Sequence, residues 1–369
     1  MSIKVCHVTS VHPVFDTRIF HKECKSLSKR YDVSLIAPNV EDQTVDNIRI
    51  YGVKLPQSRK QRIRSLDLVY QKMVEIDADV YHFHDPELMS LGVKIKKEKA
   101  KKIVFDSHED IPQQILCKPW IPRVFRKPLS FIYAKYESKI LKNYDSLVSV
   151  TPTIVERLSK VNHNTFQVTN YPVYKEYSDH RTWGRNICFT GGVSYQYQHH
   201  EIISSLDRIH ATYIMAGPCK TPSYMERLKA LQNWKLVDYR GQVPYEKCLD
   251  IMQESSAGLA ILFYSPNVGY KKGTLGVLKI FEYMMVGIPV ICTDFDLWKE
   301  IVEGNKCGIC VNPYDSQELI KAVNYLMENP QVCKEMGDNG IKAVQEKYNW
   351  STQEKILFEM YDKLLQGMN

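Results

Sequence analysis

Short apolar runs alternate along the chain with stretches in which apolar side chains recur at helical spacing. Runs this short are typical of parallel strands that are buried on both faces. The predicted strands are residues 4–9, 33–37, 80–84, 103–106, 147–150 and 166–169, followed by 187–190, 212–216, 236–239, 258–262, 290–293 and 308–311. Helical stretches such as 18–29, 66–76, 88–97 and 121–143 lie between them, so each half of the chain is predicted to be a doubly wound α/β domain.

The alternation is interrupted once, near the middle of the chain. Residues 171–185 contain Pro172 and several aromatic residues without a clear period, so they are predicted to be an interdomain linker. The chain has 369 residues, which is long for one core, and we expect one domain over 1–170 and a second over 186–348. Residues 349–369 form a closing segment, in which Ser351 is predicted to cap a helix.

One junction between a helix and a strand carries paired charges. Lys279 and Glu282 lie three residues apart at the start of a predicted helix, so their side chains share one face. Gly287 is predicted to end this helix, and Pro289 follows before the next strand. The ammonium group and the helix N-terminus suit a diphosphate, while the carboxylate suits ribose hydroxyl groups. The alternative is an ordinary surface ion pair.

Composition bears on location and on metal binding. No apolar run is long enough to span a membrane, and a strand pattern begins at residue 4, so we expect a cytoplasmic protein without a signal peptide. The ten cysteines are scattered singly through apolar segments, which indicates reduced thiols. Cys307 and Cys310 form the single Cys-x-x-Cys pair, without a second pair at zinc spacing, so no metal site is predicted.

Positive charge is concentrated in the first half of the chain. Lysine and arginine exceed aspartate and glutamate by eight in residues 1–180 and fall one short in residues 181–369. This favours an anionic partner, such as a membrane surface, a lipid-linked phosphate or an acidic glycan, although a merely solvated basic face is the alternative. Nucleic acid is not expected, because no recognised binding motif supports it.

Residues 118–142 combine basic and aromatic side chains. They include seven basic residues and one acidic residue, interleaved with tryptophan, phenylalanine and tyrosine. That composition suits a helix lying on an anionic membrane surface, and the expected surface is the inner face of the cell membrane. The alternative is a helix that packs its aromatic side chains against its own domain.

Several motifs follow one another in a recognisable order. They are the run from Lys279 to Ile291, the opening His7-Val-Thr-Ser-Val-His-Pro-Val-Phe-Asp-Thr-Arg-Ile-Phe, and the shorter runs His82-Phe-His-Asp-Pro-Glu-Leu, Phe105-Asp-Ser-His-Glu-Asp, Phe189-Thr-Gly-Gly-Val-Ser and Gly308-Ile-Cys-Val-Asn-Pro-Tyr-Asp. Together they resemble the retaining glycosyltransferases of family 4, of the bacterial polysaccharide-type group 1, over nearly the whole chain.

The resemblance implies the GT-B fold, in which two Rossmann-like domains face a central cleft and the final helix crosses back to the first domain. It implies that the second domain binds a nucleotide sugar, with UDP- or GDP-sugars expected, and that the first binds a glycan or lipid-linked acceptor. It also implies transfer with retention, without a divalent metal and without a cofactor.

The resemblance assigns donor contacts to strand ends of the second domain. Lys279 and Glu282 are expected to act on the diphosphate and the ribose. The other expected donor contacts are Gly191, Gly192, Tyr197, Gly217, Gln242, Val243, Thr274, Leu275 and Gly276. Thr274 stands where the family often has a glutamate, and Tyr197 where many relatives have a phosphate-binding arginine; Lys271 and Lys272 are candidates to compensate.

In the first domain, His108 resembles the family's cleft histidine that faces the donor sugar, so it is expected to be catalytic together with Lys279 and Glu282. Asp16 and Arg18 are expected to bind the acceptor; the alternative is that Asp16 caps a helix and Arg18 is structural. The remaining expected acceptor contacts are His84, Asp85 and Glu109. No side chain is assigned as a covalent nucleophile, because the leaving phosphate itself can take the acceptor's proton.

Two other functions remain open at this stage. A non-catalytic GT-B scaffold for polysaccharide assembly would bind nucleotide without turnover, and the residues at 197 and 274 favour it. A nucleotide-sugar epimerase would need no acceptor, so the basic first domain argues against it.

Overall fold

The computed structural model describes residues 2–177 and 181–366. Three residues of the predicted linker, 178–180, and the last three of the predicted closing segment, 367–369, lie outside the described residues, as does residue 1. The chain divides into two compact units, one formed by Met1–Asn170 with Trp350–Asn369 and the other by Tyr171–Asn349.

The first unit contains an eight-stranded sheet. Its strands are β1 (Lys4–Val8), β2 (Asp32–Pro38), β3 (Gln43–Val45), β4 (Ile48–Val53), β5 (Val80–Phe83), β6 (Lys102–Ser107), β7 (Ser146–Ser149) and β8 (Thr165–Gln167). Their order across the sheet is β3-β4-β2-β1-β5-β6-β7-β8, and every pair except β3 with β4 is parallel. The carboxyl ends of β1, β5 and β6 therefore lie side by side at one edge, where ligands of doubly wound sheets bind.

The second unit contains a six-stranded, fully parallel sheet. Its strands are β9 (Asn186–Thr190), β10 (Thr212–Ala216), β11 (Val237–Tyr239), β12 (Ala257–Ala260), β13 (Val290–Thr293) and β14 (Gly308–Val311). Their order is β11-β10-β9-β12-β13-β14. The chain order reverses beside β9, which is the point where such sheets open a ligand crevice.

Helices cover the two sheets. They are α1 (Lys25–Leu27), α2 (Arg59–Arg64), α3 (Leu66–Ile76), α4 (Met89–Lys99), α5 (Ile111–Cys117), α6 (Arg123–Leu141), α7 (Pro152–Ser159), α8 (His199–Ser204), α9 (Pro222–Lys229), α10 (Tyr245–Gln253), α11 (Lys279–Val286), α12 (Asp296–Val302), α13 (Ser316–Glu328), α14 (Pro330–Glu346) and α15 (Trp350–Leu365). None of the helices in the described ranges is both long and apolar enough to cross a membrane.

The structure corrects the sequence analysis at three places. The hairpin of β3 and β4 was not predicted, since its strands are partly polar; Asp46 and Asn47 form its turn with φ of 51° and 62°, as tight hairpins require. The predicted helix over 18–29 is a π-helical turn, Ile19–Cys24, followed by the short α1. Ser351 lies inside α15 and is not its cap, because the helix begins at Trp350.

The final helix is part of the first unit. Trp350 donates a hydrogen bond from Nε1 to Ser26 Oγ at 2.8 Å, and Gln353 accepts one from the Thr169 backbone N–H at 2.8 Å. Leu357, Met360 and Tyr361 are fully buried in the same core as the strands of this unit. The chain therefore returns to its first unit after completing the second.

Candidate active site

Three glycines stack at neighbouring strand ends of the second unit. The N–H of Gly191, after β9, donates to the carbonyl of Ala216 at 2.8 Å, and the N–H of Gly217, after β10, donates to the carbonyl of Gly241 at 2.6 Å. A Cβ on Gly217 would lie 1.9 Å from the Gly191 oxygen, and both residues have φ near +140°, where side chains are rarely tolerated. The edge of the sheet is therefore bare backbone.

The Lys279 ammonium group lies against this backbone. A Cβ on Gly191 would be 3.2 Å from Lys279 Nζ, and the lysine itself is 9% exposed. Nζ donates a hydrogen bond to the Tyr197 hydroxyl at 2.9 Å and lies 4.1 Å from the centre of that ring. The structure thus brings together Lys279, Gly191 and Tyr197, with the cation at the first residue of α11.

Glu282 lies one turn into the same helix and is 7% exposed. Its Oε1 accepts a hydrogen bond from the Tyr245 hydroxyl at 2.9 Å. Burial, followed by the charge of Glu282, raises the pKa of Tyr245, so the phenol stays protonated and donating. Sequence reasoning missed Tyr245, although it directly follows the loop that holds the predicted contacts Gln242 and Val243.

The loop before α11 is held by hydrogen bonds. The Thr274 hydroxyl oxygen accepts from the Gly276 N–H at 3.0 Å, and the Thr274 carbonyl accepts from Trp298 Nε1 at 2.6 Å. Leu275 is buried and Gly276 is exposed. Lys271, considered as a compensating charge, is bound to Asp294 and Tyr264.

The other predicted donor contacts lie along the same strand ends. A Cβ on Gly192 would meet nothing within 4 Å, so its backbone faces open space. Gln242 is exposed, and Val243 packs partly against the core. His199, which stands beside Tyr197 in the sequence, is buried at the start of α8; burial and then Lys279 lower its pKa to about 3.

In the first unit, three imidazoles connect the strand ends. His84 Nδ1 lies 3.1 Å from His108 Nε2, and His84 Nε2 lies 2.9 Å from His7 Nδ1. His84 is buried, and its burial is the main cause that lowers its pKa to about 4. The side chain of His108 is 17% exposed, and its Nε2 lies 3.1 Å from Asp106 Oδ2. Of these imidazoles, His108 is thus the one that a ligand can reach.

Arg18 belongs to the interior of this unit. Its Nε donates to Asp106 Oδ2 at 2.7 Å and its Nη2 to Asp106 Oδ1 at 3.0 Å, while Nη2 also lies 3.0 Å from Glu23 Oε1. Burial alone would raise the pKa of Asp106, but Arg18 and His108 more than offset it and hold that pKa well below its usual range. Only 3% of Arg18 is exposed, so its surroundings fit the alternative that Arg18 is structural and do not support direct binding of the acceptor.

Asp16 likewise fits its alternative, because its Oδ1 accepts from the N–H groups of Arg18 and Ile19 at 2.8 and 2.9 Å. Asp85 is buried and accepts from Thr9 Oγ1 at 2.8 Å and from the Ser10 N–H at 2.6 Å, so it fastens the loop after β1. Among the predicted acceptor contacts Glu109 remains exposed, with a hydrogen bond from Gln114.

His12 is a further accessible group that the predictions omitted. Its side chain is 28% exposed, and its ring centre lies 4.8 Å from that of His108. Burial opposes its protonation, but the hydrogen bond to Asp16 and the charges of Asp85 and Asp16 raise its pKa. Among His7, His12, His84 and His108, the two that face solvent are thus His12 and His108.

The segment 118–142 presents an apolar surface around α6. Its exposed members are Trp120 at 72%, Val124 at 75%, Phe125 at 58%, Leu129 at 43%, Phe131 at 60%, Ile132 at 61% and Tyr136 at 48%. Tyr133 and Ile140 instead pack against the core, so the packing alternative holds only for one face of the helix. Lys118 and Lys135 lie over the rings of Trp120 and Phe131, at 5.0 and 4.5 Å.

Two family models match successive parts of the chain. Residues 17–168 match Glycosyltransferase Family 4, and residues 174–343 match Glycosyl transferases group 1. The O-antigen chain mannosyltransferase C of Escherichia coli is 19% identical over 352 residues, which cover 91% of this chain and 90% of that protein. The uncharacterized glycosyltransferase MJ1069 of Methanocaldococcus jannaschii is 25% identical over 144 residues, and the match spans 38% of this chain but only 35% of that relative.

Solved structures share the fold. Sucrose-phosphate synthase from Thermosynechococcus elongatus superposes with a TM-score of 0.79 at 16% identity, covering 99% of both chains. Anabaena Alr3699/HepE, in a complex with UDP and glucose, superposes with a TM-score of 0.71 at 15% identity, covering 98% of this chain and 100% of that one. The predicted α/β GT-B fold class is thereby confirmed.

Proposed function

This chain belongs to the GT-B glycosyltransferases of the family 4 and group 1 type, and we propose that it moves a sugar from a nucleotide sugar to a glycan or lipid-linked acceptor. The observation that carries this proposal is the position of the Lys279 ammonium group beside the bare backbone at Gly191, 3.2 Å from where a Cβ of that residue would lie. A cation, glycine N–H groups and a helix N-terminus at one strand edge form a site for a diphosphate.

On the donor side, Lys279 and the first turn of α11 neutralise the charge that develops on the leaving diphosphate. Tyr197 holds the ammonium group in place through its hydroxyl. Glu282 receives the ribose hydroxyl groups, in exchange for or in addition to the hydrogen bond from Tyr245. These protein groups take the role that a divalent metal has in other transferases, so transfer needs neither metal nor cofactor.

The donor is proposed to be a UDP-sugar, with a GDP-sugar as the other candidate. Support for uridine comes from the HepE complexes, which contain UDP, UDP with glucose, and UDP-glucose. The base would lie beside Gln242 and Val243, where backbone groups and one exposed amide are available.

The acceptor is proposed to bind the basic first unit, with His108 contacting the reacting sugar. The acceptor oxygen forms its bond to the anomeric carbon as the bond to the diphosphate breaks, and a leaving phosphate oxygen takes the acceptor's proton. Because both events occur on the same face, the configuration is retained, and the enzyme mainly orients the reactants and stabilises charge. The O-antigen relative supports surface polysaccharide or glycolipid assembly as the setting.

The exposed apolar and basic surface of 118–142 is proposed to hold the protein on the inner, anionic face of the cell membrane. Seven exposed apolar side chains and flanking lysines are the combination that an interfacial helix uses. The enzyme and a lipid-linked acceptor would then both be confined to the membrane surface, where they meet by lateral diffusion.

A non-catalytic scaffold is the second candidate, because the family resemblance implies charged side chains at the positions that Tyr197 and Thr274 occupy here. The decisive experiment incubates the protein with UDP-glucose and measures released UDP with and without a lipid-extract acceptor, using Lys279→Met as the control. The enzyme releases UDP in a Lys279-dependent way, slowly without acceptor. UDP binding without any release in either condition would favour the scaffold.

A further inference from the structure

Five buried side chains of the first unit meet in one group, which we name the inner cluster: His7, Glu23, His82, His84 and Asp106. His7 comes from β1, His82 from β5, and Glu23 from the π-helical turn that precedes α1. His7 and His82 are register partners on adjacent strands, and their ring centres lie 4.6 Å apart. The proposed transfer uses none of these side chains directly.

The inner cluster contains polar atoms that the protein does not satisfy. Both carboxylate oxygens of Glu23, and the Nε2 atoms of His7 and His82, are buried without a hydrogen-bond partner. Arg18 Nη2 lies 3.0 Å from Glu23 Oε1, so one oxygen is compensated by charge but Oε2 is not. Buried polar atoms are rarely left in this state. A bound ion would supply the missing partner of Glu23 Oε2 and of His82 Nε2, whereas His7 would bind it through Nδ1 and keep its Nε2 without a partner.

Three atoms of the inner cluster lie close enough together to share one ion, although two of them form a hydrogen bond with each other that the ion would replace. His7 Nδ1 and His84 Nε2 are 2.9 Å apart, and Glu23 Oε2 lies 3.9 Å from the former and 4.0 Å from the latter. A point equidistant from three atoms with these separations lies about 2.1 Å from each, which is the length of zinc–imidazole and zinc–carboxylate bonds. One nitrogen of His82 and one oxygen of Asp106 lie within 4.8 Å of ligand atoms of Glu23 and His84.

The surroundings of the inner cluster are those of metal ligands. Tyr361 Oη lies 3.1 Å from His82 Nδ1, which leaves Nε2 as the atom of His82 available to a metal. Asp106 Oδ2 lies 3.5 Å from His84 Nδ1, on the far side of the ring from Glu23. A carboxylate or hydroxyl group behind the outer nitrogen is the arrangement that orients metal-binding histidines.

We propose that the inner cluster binds one zinc-type divalent cation through Glu23, His7, His82 and His84, with Asp106 and Tyr361 orienting two of the imidazoles. Four protein ligands leave no open coordination position, so the ion is structural and takes no part in transfer. It joins the turn before α1 to strands β1 and β5. This extends beyond the proposed transfer function, and it would replace the sequence prediction that the protein has no metal site.

The test uses the full chain with its affinity tag removed, stripped with a chelator and titrated with Co²⁺ and with Zn²⁺. We expect one ion per chain, a higher unfolding temperature, and the intense visible bands of four-coordinate Co²⁺ without thiolate charge transfer. No bound ion, a six-coordinate spectrum, or charge-transfer bands from cysteine thiolates would overturn the proposal.

Two variants locate the ion. Tyr361→Phe keeps the buried ring but removes the hydroxyl beside His82, and should weaken Co²⁺ binding about 10–100-fold. Its matched control is Tyr144→Phe, because Tyr144 is also buried in this unit but donates to the Met89 carbonyl, and it should bind Co²⁺ like the wild type.

Glu23→Gln removes the charged ligand and should abolish binding. If that variant fails to fold, the number of ions bound per wild-type chain and the comparison of Tyr361→Phe with Tyr144→Phe still test the proposal. Co²⁺ affinity unchanged in Tyr361→Phe, or equally weakened in Tyr144→Phe, would place the ion elsewhere and contradict the proposal.

Discussion

Lys279 donates a hydrogen bond from its ammonium nitrogen to the hydroxyl of Tyr197, at 2.9 Å. The tyrosine orients the cation that lies beside the Gly191 backbone. The site therefore offers a positive side chain and a helix N-terminus to a diphosphate. This lysine is central to the proposed function. With the diphosphate bound at Lys279, the Gly191 backbone would face the phosphate oxygens and Glu282 would face the ribose.

Gly191 is expected to be intolerant of any side chain. Gly191→Ala places a methyl group 3.2 Å from Lys279 Nζ at a φ of +139°, so it should lower the free energy of unfolding by about 1–3 kcal/mol. Gly192→Ala meets no atom within 4 Å and should leave the free energy of unfolding unchanged, as measured by urea titration without ligand. Equal stability of the two variants would contradict the positive φ of Gly191.

The variants Gly191→Ala and Gly192→Ala also distinguish an effect on stability from an effect on UDP binding. If the Gly192 backbone faces phosphate oxygens, Gly192→Ala should be as stable as the wild type yet bind UDP more weakly. Calorimetry on the two variants measures this. Full UDP affinity in Gly192→Ala would remove Gly192 from the donor site.

Glu282 is expected to recognise the ribose. Wild-type protein should prefer UDP over 2′-deoxy-UDP, and Glu282→Gln should lose about 1.5–3 kcal/mol of UDP binding together with most of that preference. Glu246→Gln, which changes an exposed glutamate on α10, is the control. A preference for UDP that survives in Glu282→Gln would show that another group reads the ribose.

His199 is expected to make stability depend on pH. Its pKa is about 3 in the folded protein and near the ordinary value of 6.5 when unfolded, so the unfolded chain binds the extra proton between these values. Stability contributed by neutral His199 is therefore complete above pH 6.5 and is lost as pH falls, by up to about 1.4 kcal/mol per pH unit.

His199→Gln removes this contribution, so its free energy of unfolding should fall less steeply than that of the wild type between pH 6.5 and 4.5. Urea titrations at several pH values compare the two slopes. Identical slopes would mean that His199 is protonated, or exposed, in the folded protein.

The surface of α6 is expected to bind anionic vesicles. Replacing Phe125 and Phe131, which are 58% and 60% exposed, with serine should greatly reduce sedimentation with phosphatidylglycerol vesicles, and added salt should weaken wild-type binding. Leu68→Ser is the control, because Leu68 is 47% exposed on α3 of the same unit. A wild type that never sediments with these vesicles would refute membrane binding.

The sequence predicted those parts of the molecule that depend on near neighbours. Gly287 ends α11 with a φ of +81°, as the following Pro289 indicated, and β10, β13 and β14 have the predicted bounds. The partners of the site side chains come from distant segments, and sequence spacing does not reveal them. Tyr245 with Glu282 is one such pair, and Arg18 with Asp106 is another.

The loop after β1 is a second case in which the sequence did not reveal the distant partner of a side chain. Asp16 and Arg18 follow β1 in the sequence, where ligand-binding residues are expected, yet the fold turns Arg18 inward to a buried aspartate on β6. A loop position alone therefore predicts access to the strand edge, but burial decides which side chains a ligand can reach. His12 and His108 retain that access.

The most direct test is calorimetric titration of the wild type and Lys279→Met with UDP, GDP, ADP, TDP and CMP, with Lys334→Met as the control for an exposed lysine of the same unit. The proposed donor site predicts that the wild type binds one nucleoside diphosphate, expected to be UDP, and that Lys279→Met binds it about 10–100-fold more weakly while Lys334→Met does not change. Folded wild-type protein that binds none of these nucleotides, or a Lys279→Met variant with full affinity, would contradict it.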